Sequence, residues 1–314
     1  MNEAVDVVII GGGPAGLSAG LNLVRANRTV LIVDSNRPRH SATLQSHGFL
    51  TRDGASPLEL RRLGREEFEV YPSAAFAQAK VTSVVAEPEG AQPGFRVQAA
   101  GIRGSENVDV RAKRVLIAAG LTEDLPRLPL MRAFYGTALH SCVECDGFEK
   151  SEKPLALIGE TSDVFARALL ISRFSSDLIV FTNGADTVRP EQEAQLASLG
   201  IRVERREIED LVGERAEMLG VKLTDGTVIE RVGGFVRPRW HAPVEFLGDA
   251  SIERDDWGLL VVGERGETSI PGIYAVGDIV PPGPQQLIIA AGGGARVAAR
   301  INMDLIRSSL HDRP

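Results

Sequence analysis

Short apolar runs alternate with glycine-rich or polar turns along most of the chain. The first run, Val7 to Ile10, is rich in β-branched residues and predicts a buried strand, which a glycine turn and a helical segment follow. A second run, Thr29 to Val33, completes a strand–helix–strand unit. Because such units build parallel sheets with helices on their faces, the pattern predicts an α/β fold.

Further apolar runs predict strands in the middle and at the end of the chain. They are Pro154 to Ile158, Leu178 to Phe181 and Ile273 to Val276. Two other stretches, Val81 to Val97 and Val108 to Arg111, predict a small meander of strands, and Leu223 to Val228 predicts a hairpin that turns at Asp–Gly. The chain therefore contains a second strand–helix unit after Pro154, which weakly repeats the first.

Composition places the chain among ordinary globular proteins of about two domains. It has 314 residues, of which 43% are apolar and 25% charged. Its net charge of −7 makes a nucleic-acid partner unexpected, because such partners select basic surfaces. We expect no membrane span, since no apolar run approaches the required length of about 20 residues. The first ten residues lack the basic start of a signal peptide, so we expect a cytoplasmic protein.

The glycine turn after the first strand has the spacing of a dinucleotide-binding turn. Gly11, Gly13 and Gly16 follow the GxGxxG pattern, with Pro14 and Ala15 between the last two. In that pattern the first glycine allows the tight turn, the second lets backbone approach a pyrophosphate, and the third lets the helix pack on the strand. Asp34 follows about 20 residues later, where a carboxylate binds ribose hydroxyls. The acid favours FAD or NAD over NADP, although a glycine-rich turn without a ligand remains the alternative.

A Cys-x-x-Cys pair supplies the other candidate chemistry. Cys142 and Cys145 enclose too small a loop to act as a structural staple, and a zinc site would need more ligands than the nearby His140. In a chain with a dinucleotide-binding turn, a dithiol–disulfide couple is the favoured reading. A helix start would lower the thiol pKa, and Asp146 could move a proton to or from the outgoing thiol or simply cap the helix.

These motifs together resemble low-molecular-weight bacterial thioredoxin reductases. Gly277 and Asp278 after a late strand resemble the second FAD signature of two-dinucleotide-domain flavoproteins. The segment from Arg114 to Gly120 resembles the strand and glycine of the crossover that closes their first FAD segment, and CysValGluCysAspGlyPhe resembles the redox segment. The likeness covers essentially the whole chain. It implies two Rossmann-like domains of three-layer ββα type, the second inserted into the first. The FAD-binding domain would comprise 1–119 and 246–314, and the NAD(P)-binding-like domain 120–245.

The resemblance also implies roles for individual residues. Cys145 would face the flavin, Cys142 would attack the partner, and Asp146 would act as acid and base. Asp278 would hold the ribityl–pyrophosphate region, and a helix starting near Gln286 would face the flavin pyrimidine edge. The predicted FAD site comprises Gly11, Gly13, Pro14, Ala15, Gly16, Asp34, Ser35, His47, Gly120, Gly277, Asp278, Gln286 and Leu287, and no metal site is expected.

The sequence departs from that family where a nicotinamide nucleotide should bind. After the strand at Pro154, the glycine triplet is reduced to Gly159, and Glu160 and Thr161 add negative charge and bulk where phosphates should approach. The chain also has no basic residue between Arg173 and Arg189, where family members hold the 2′-phosphate. NADPH is therefore a doubtful cofactor.

A second departure follows Asp34, where residues 35–54 look more like the branch with gliotoxin- and holomycin-type dithiol oxidases. Ferredoxin- or flavin-linked thioredoxin reductases are similar as well. His40, His47 and Arg52 are candidates for the flavin face or substrate mouth, with structural or solvated histidines as the alternative. The stretch from Pro238 to Pro243, with Trp240 and His241, is predicted to be a hinge.

Several functions remain open at this point. The leading one is FAD-dependent exchange of two electrons between Cys142–Cys145 and an external partner, either a thioredoxin-like protein or a small dithiol or disulfide. The alternatives are an NADPH-dependent thioredoxin reductase, an oxygen-using dithiol oxidase and a redox-sensing flavoprotein without catalysis. Ferredoxin or another donor could supply electrons, and the family resemblance implies a homodimer.

Overall fold

The computed structural model describes residues 4–87, 94–214 and 217–311. The strands in these ranges are β1 (Val5–Ile10), β2 (Val30–Asp34), β3 (Ala74–Ala86), β4 (Phe95–Gly101), β5 (Val108–Ile117), β6 (Thr122–Asp124), β7 (Leu139–His140), β8 (Leu155–Gly159), β9 (Leu178–Phe181), β10 (Arg202–Glu204), β11 (Ile208–Glu214), β12 (Glu217–Leu223), β13 (Val228–Glu230), β14 (Gly233–Arg237), β15 (Arg239–His241) and β16 (Ile273–Ala275). The α-helices are α1 (Pro14–Arg25), α2 (Pro57–Glu69), α3 (Met131–Phe134), α4 (Val143–Asp146), α5 (Val164–Ile171), α6 (Pro190–Ser198) and α7 (Leu287–His311). Short 3₁₀ helices span Arg39–Ala42, Phe148–Lys150 and Glu245–Leu247.

The first sheet combines a parallel half with an antiparallel meander. Strand β1 pairs in parallel with β2 and β5, β2 pairs with β3, and β5 pairs with β16. The long strands β3 and β5 then continue past this parallel half and pair antiparallel with β4. The two strands predicted at Val108 and Arg114 are therefore one continuous strand, because the same strand serves both halves. The sequence also predicts a turn-rich, exposed connection at 88–93, and this stretch lies outside the described residues.

Alternate residues of β1 serve two different cores, as expected for a strand covered on both faces. Val7 and Ile9 pack with residues of α1 and α7, including Leu23. Val8 and Ile10 point the other way and pack with meander residues such as Val97. Helices, parallel sheet and meander thus form three layers.

The second sheet has the same three-layer plan. Its strands run in the order β10, β9, β8, β14, β7, and every pairing is parallel. One face packs against α5 and α6 through a core that includes Leu157. The other face, which includes Ile158, packs against the antiparallel sheet of β11, β12 and β13. The predicted hairpin at Leu223 to Val228 is confirmed as the turn between β12 and β13.

Two antiparallel strands connect the units that are built on these sheets. Strand β6 carries the chain from β5 toward the second sheet, and β15 brings it back from β14. The chain then returns to the first sheet through the 3₁₀ helix at Glu245–Leu247 and β16. The predicted fold class is therefore confirmed: an α/β protein with two Rossmann-like units of three layers, the second inserted into the first. The predicted hinge stretch, Pro238 to Pro243, includes the returning strand.

None of the helices within the described ranges is long and apolar enough to cross a membrane.

The packing of α7 on α1 makes a matched prediction for two neighbouring helical glycines. A Cβ on Gly294 would lie 2.2 Å from the backbone oxygen of Ala15, whereas a Cβ on Gly292 would have no described atom within 4 Å. Gly292→Ala should raise the free energy of unfolding by about 0.5–1 kcal/mol, because alanine favours the helix. Gly294→Ala should lower it by about 1–3 kcal/mol through overpacking. Urea unfolding of both variants checks this, and equal effects would contradict the described packing.

Candidate functional site

In the glycine turn after β1, backbone atoms crowd the Cβ positions of Gly11 and Gly16, whereas the Cβ position of Gly13 is open. Gly11 has a φ of 111°, and its Cβ would lie 2.3 Å from the Ala118 oxygen. A Cβ on Gly16 would lie 1.9 Å from the oxygen of Gly11. At Gly13, which precedes α1, a Cβ would meet no described atom within 4 Å. The open space therefore lies at the start of α1, where helix amide groups and the helix dipole favour a phosphate.

Asp34 lies at the end of β2 and is already engaged by the protein. One carboxylate oxygen accepts a hydrogen bond from the Gly12 amide at 3.2 Å, and the other accepts one from the Arg61 guanidinium. Arg61 also donates to the side chain of Asn36 at 3.0 Å. Ser35, between Asp34 and Asn36, is half-buried. A ribose at this edge would meet a carboxylate whose orientation Arg61 already fixes.

The second flavin signature lies beside the first. Gly277 follows β16 with a φ of 87°, and its Cβ would come within 3.0 Å of the Ala15 side chain. Asp278 accepts a 2.9 Å hydrogen bond from Arg39. Helix α7 begins at Leu287, and the Gln286 oxygen accepts the Ala290 amide in its first turn. The sequence placed this start correctly to within one residue.

These residues fit an FAD. Strands β1, β5 and β16 are neighbours in one parallel sheet, so their carboxyl ends bring Gly13, Gly120 and Asp278 to the same edge. Ligands of α/β sheets bind at that edge. Gly120 has a φ of 66° and, like Gly13, leaves the space beside its Cβ position free of described atoms within 4 Å.

Cys142 and Cys145 form a disulfide at the start of α4. The Cys142 sulfur accepts a 3.2 Å hydrogen bond from the Cys145 amide, which makes Cys142 the cap of this short helix. Both cysteines are half-buried, and Val143 between them is buried in the core of the second unit. The pair is therefore anchored by Val143 while its sulfurs stay near the surface.

Three titratable side chains surround the disulfide segment. Burial raises the pKa of Asp146 to about 6, although Lys150 opposes the shift. Burial, with a smaller contribution from Lys150, lowers the pKa of His140 to about 3, and its Nε2 lies 3.3 Å from the Asp146 carboxylate. Burial also lowers the pKa of Lys150 to about 8. A neutral imidazole beside a carboxyl that titrates near neutral pH is suited to proton exchange with a neighbouring thiol.

His47 contacts the redox segment from the other unit. Its Nε2 lies 3.6 Å from Glu149, and its Nδ1 lies 3.6 Å from Asp53 in its own loop. The sequence predicted His47 in the FAD site, and the structure places it where the two units meet. Arg52 is exposed and donates to its neighbour Thr51, while the side chain of His40 lies outside the described part of the structure.

A cavity of about 780 Å³ lies at the predicted nicotinamide edge of the second sheet, between β6 and the carboxyl ends of β8 and β9. Glu160 follows β8 and accepts a 2.7 Å hydrogen bond from Asn183, which follows β9. The Thr161 hydroxyl donates to Asp163 at 2.6 Å. Arg237 lies 2.7 Å from the same Asp163 carboxylate. The Glu160 carboxylate and the paired side chains of Thr161 and Arg237 thus line the edge of the sheet where, in a nucleotide site, glycines would let a pyrophosphate approach.

Within the described ranges, no three His, Cys, Asp or Glu side chains are grouped so that they could hold a metal ion.

Sequence analysis missed two residues at the edge of the first sheet where the predicted FAD site lies. Arg61 and Arg39 bind the carboxylates of Asp34 and Asp278, the acids that the motifs identified. Neither arginine belongs to a local motif, and Arg39 is separated from its partner by 239 positions. The position of each acid directly after a predicted buried strand was the available signal, since a carboxylate that becomes buried there requires a partner.

The glycine turn yields a prediction that separates folding from cofactor binding. Gly13→Ala should leave the FAD-free fold unchanged, because its Cβ enters open space, but should weaken FAD binding by about tenfold or more by crowding the pyrophosphate. Gly16→Ala should destabilise the FAD-free fold through its clash with Gly11. Thermal unfolding and FAD titration of both variants test this. Unchanged FAD affinity in Gly13→Ala would exclude the open space as the cofactor site.

Asp146 yields a pH-dependent prediction. Its pKa is about 6 in the folded chain and about 3.9 when unfolded, so the folded state binds its proton more tightly. Ionisation of Asp146 therefore costs stability above pH 6, and the cost disappears as pH falls below about 4. Asp146→Asn should raise the free energy of unfolding at pH 8 by about 3 kcal/mol at most, and by almost nothing at pH 4.

Urea unfolding at both pH values measures this difference. Asp53→Asn is the control, since the Asp53 carboxyl is exposed and its pKa is lowered by the Gly48 amide. A gain in Asp146→Asn that is the same at both pH values would contradict the raised pKa.

Comparison with known proteins identifies the family to which the chain is similar. A family model described as pyridine nucleotide-disulphide oxidoreductase matches residues 5–294. The thioredoxin reductase of Aquifex aeolicus is 27% identical over 316 residues, covering 96% of this chain and 93% of that protein. The crystal structure of TrxB from Bacillus anthracis, provisionally assigned as a thioredoxin reductase, is 34% identical with a TM-score of 0.87, covering 97% and 99%. The crystal structure of HlmI is 32% identical with a TM-score of 0.92, covering 99% and 96%.

The family match extends over most of the chain, including both sheets, the glycine turn and the cysteine pair. The predicted resemblance to thioredoxin reductases is thereby confirmed. The chain belongs to the pyridine nucleotide-disulphide oxidoreductase family and is a flavin-dependent disulfide oxidoreductase of the thioredoxin reductase type.

Proposed function

We propose that this enzyme exchanges two electrons between FAD and the Cys142–Cys145 disulfide, and between that disulfide and an external dithiol or disulfide. The observation that carries the proposal is the disulfide itself, which sits beside the half-buried carboxyl of Asp146 and next to a loop of the flavin unit. FAD, when bound, supplies a two-electron store. Its binding residues would be those of the glycine turn, Asp34, Ser35, Gly120 and the Gly277-to-Leu287 segment.

The chain's own residues account for the sulfur chemistry. An external thiolate would attack the Cys142 sulfur, forming a mixed disulfide and releasing Cys145 as a thiolate. A second external thiolate would then attack the mixed disulfide and release Cys142, so the external dithiol is oxidised and the protein pair is reduced. Asp146, with its pKa near 6, would take or give the proton at Cys145. The same steps in reverse would reduce an external disulfide.

We further propose that the nicotinamide site is degenerate. A negative charge at Glu160 opposes a pyrophosphate, and its bond to Asn183 joins the two strand ends that a nucleotide would have to approach. Val164 lies 2.6 Å from the Cβ position of Gly159, so the remaining glycine serves helix packing. The arginines nearest this edge, Arg237 and Arg239, already face the carboxylates of Asp163 and Glu160.

We also propose domain boundaries, a location, an oligomeric state and partners for the enzyme. The domain boundaries would fall at 119/120 and 245/246, near the β6 and β15 connections. The enzyme would be a cytoplasmic homodimer that receives or delivers electrons through ferredoxin, another protein or oxygen. Its external partner would be a thioredoxin-like protein or a small dithiol or disulfide.

Reduction of a protein disulfide is the second candidate, and one surface feature favours it. Phe148, three residues after Cys145, is 81% exposed, and Leu50 in the His47 loop is 79% exposed. Exposed apolar side chains beside a reactive disulfide offer a docking contact for a protein partner. A small dithiol would not need them.

Anaerobic reduction of the FAD-loaded protein tests the proposal. Dithiothreitol should bleach the flavin within minutes, whereas micromolar NADPH or NADH should not. Cys145→Ser should abolish bleaching by dithiothreitol, because the flavin-side sulfur is lost. Cys142→Ser, the matched variant, should keep a thiolate beside the flavin and show long-wavelength absorption. Rapid bleaching by NADPH would contradict the degenerate site, and equal spectra for the two variants would contradict the sulfur assignment.

A further inference from the structure

A buried guanidinium joins the flavin edge to the strand that leads into the second unit. Arg39 lies in the 3₁₀ helix after β2 and is largely buried, with 16% of its side chain exposed. One of its terminal nitrogens donates to Asp278 at 2.9 Å, and the other donates to Glu123 at 3.2 Å. Asp278 belongs to the flavin signature, and Glu123 lies on β6. One side chain thus holds two carboxylates that are far apart in the chain.

Glu123 is also hydrogen-bonded to residues next to the disulfide segment. Its carboxylate accepts hydrogen bonds from the Tyr135 hydroxyl, from the Ser141 hydroxyl at 3.4 Å and from the Trp240 indole at 3.4 Å. Tyr135 also bonds to Ser141 at 3.0 Å. Because Ser141 precedes Cys142, a continuous set of polar contacts runs from Asp278 to the backbone of the disulfide.

Both connecting strands contribute to this cluster. Glu123 lies on β6, and Trp240 lies opposite it on β15. The guanidinium of Arg237 lies 4.0 Å from the Trp240 ring centre, and that of Arg39 lies 5.7 Å away. Any rotation of the second unit about these two strands would separate Arg39 from Glu123 or Asp278 and leave a buried charge without its partner.

Burial and the neighbouring carboxylates shift the pKa values of Arg39 and Tyr135. Burial alone would lower the pKa of Arg39, but the carboxylates of Asp278 and Glu123 together raise it. Burial and the Glu123 charge raise the pKa of Tyr135, which therefore stays a neutral donor. Arg237 is a second cation beside the cluster: it stacks on the same Trp240 ring, and its Nε pairs with Asp163 at 2.7 Å.

We infer that Arg39 is a positioning residue: by binding Asp278 and Glu123 together, it fixes the disulfide-bearing unit in one orientation against the flavin edge. The inference rests on the proposed electron exchange, since that exchange is what the orientation serves. Neither Arg39 nor Glu123 belongs to a motif, and their contact with Asp278 makes one arrangement of the two units the stable one.

The test compares FAD-loaded Arg39→Met, Arg39→Lys and Glu123→Gln at equal FAD content. Arg114→Met is the matched control, because Arg114 is also a buried guanidinium, paired with Asp304 at 2.6 Å, but both residues belong to the flavin unit. Hydrogen–deuterium exchange of strands β6 and β15 reports the connection directly. Flavin bleaching by dithiothreitol reports electron exchange, and thiol counting by mass spectrometry reports reduction of the disulfide itself.

We expect Arg39→Met and Glu123→Gln to speed deuterium exchange in both connecting strands by about tenfold or more. Flavin bleaching should slow by a similar factor while the disulfide is still reduced at the wild-type rate. Arg39→Lys, which keeps the charge, should recover part of both effects, and Arg114→Met should alter neither. The double variant should be no worse than either single one, since both break the same contact.

The inference would be overturned if Arg39→Met and Glu123→Gln both left deuterium exchange and flavin bleaching unchanged. It would also be overturned if Arg114→Met changed the two rates as much as they do. If Arg39→Met does not fold, Glu123→Gln and Arg39→Lys decide the question. Failure of the proposed function looks different: the wild-type disulfide would be reduced without any bleaching of the flavin. In that case deuterium exchange in β6 and β15 still decides whether Arg39 holds the orientation of the two units.

Discussion

Electron exchange between a disulfide and a flavin requires contact, so a sulfur on one unit must be held against a cofactor on the other. The chain meets this constraint with two sheets joined by only two short strands. The proposed cofactor edge includes Gly13, which leaves open space at the start of α1, and the disulfide lies at the start of α4. The orientation of the two units across their junction therefore decides whether the sulfur can reach the cofactor.

Specific polar contacts cross that junction. His47 reaches Glu149 beside the disulfide, and Arg39 joins Asp278 to Glu123. The buried ion pairs of Arg39 add little net stability, because desolvation offsets most of their attraction, but they penalise any arrangement that leaves one charge unpaired. Such contacts specify orientation more than they strengthen the fold. The burial that lowers the pKa of His140 and raises that of Asp146 prepares the same junction for proton transfer.

The sequence predicted what local patterns encode. The turn at Gly11 to Gly16 was recognisable because its strand, spacing and helix are adjacent, and the cysteine pair stood out because no structural role suits so small a loop. The pairing of Arg39 with Glu123 was not predictable, since 84 residues separate them and only the folded sheet brings them together. The length of β3 was also missed, because its first half is an alanine-rich stretch without the β-branched residues that mark a strand.

A crystal structure of the oxidised, FAD-loaded protein would test the central claim most directly through one distance, from the Cys145 sulfur to the flavin ring. The account predicts van der Waals contact, about 4 Å or less, with the pyrophosphate in the space beside Gly13. A sulfur pair remote from the ring, or a cofactor bound away from Gly13, would contradict it.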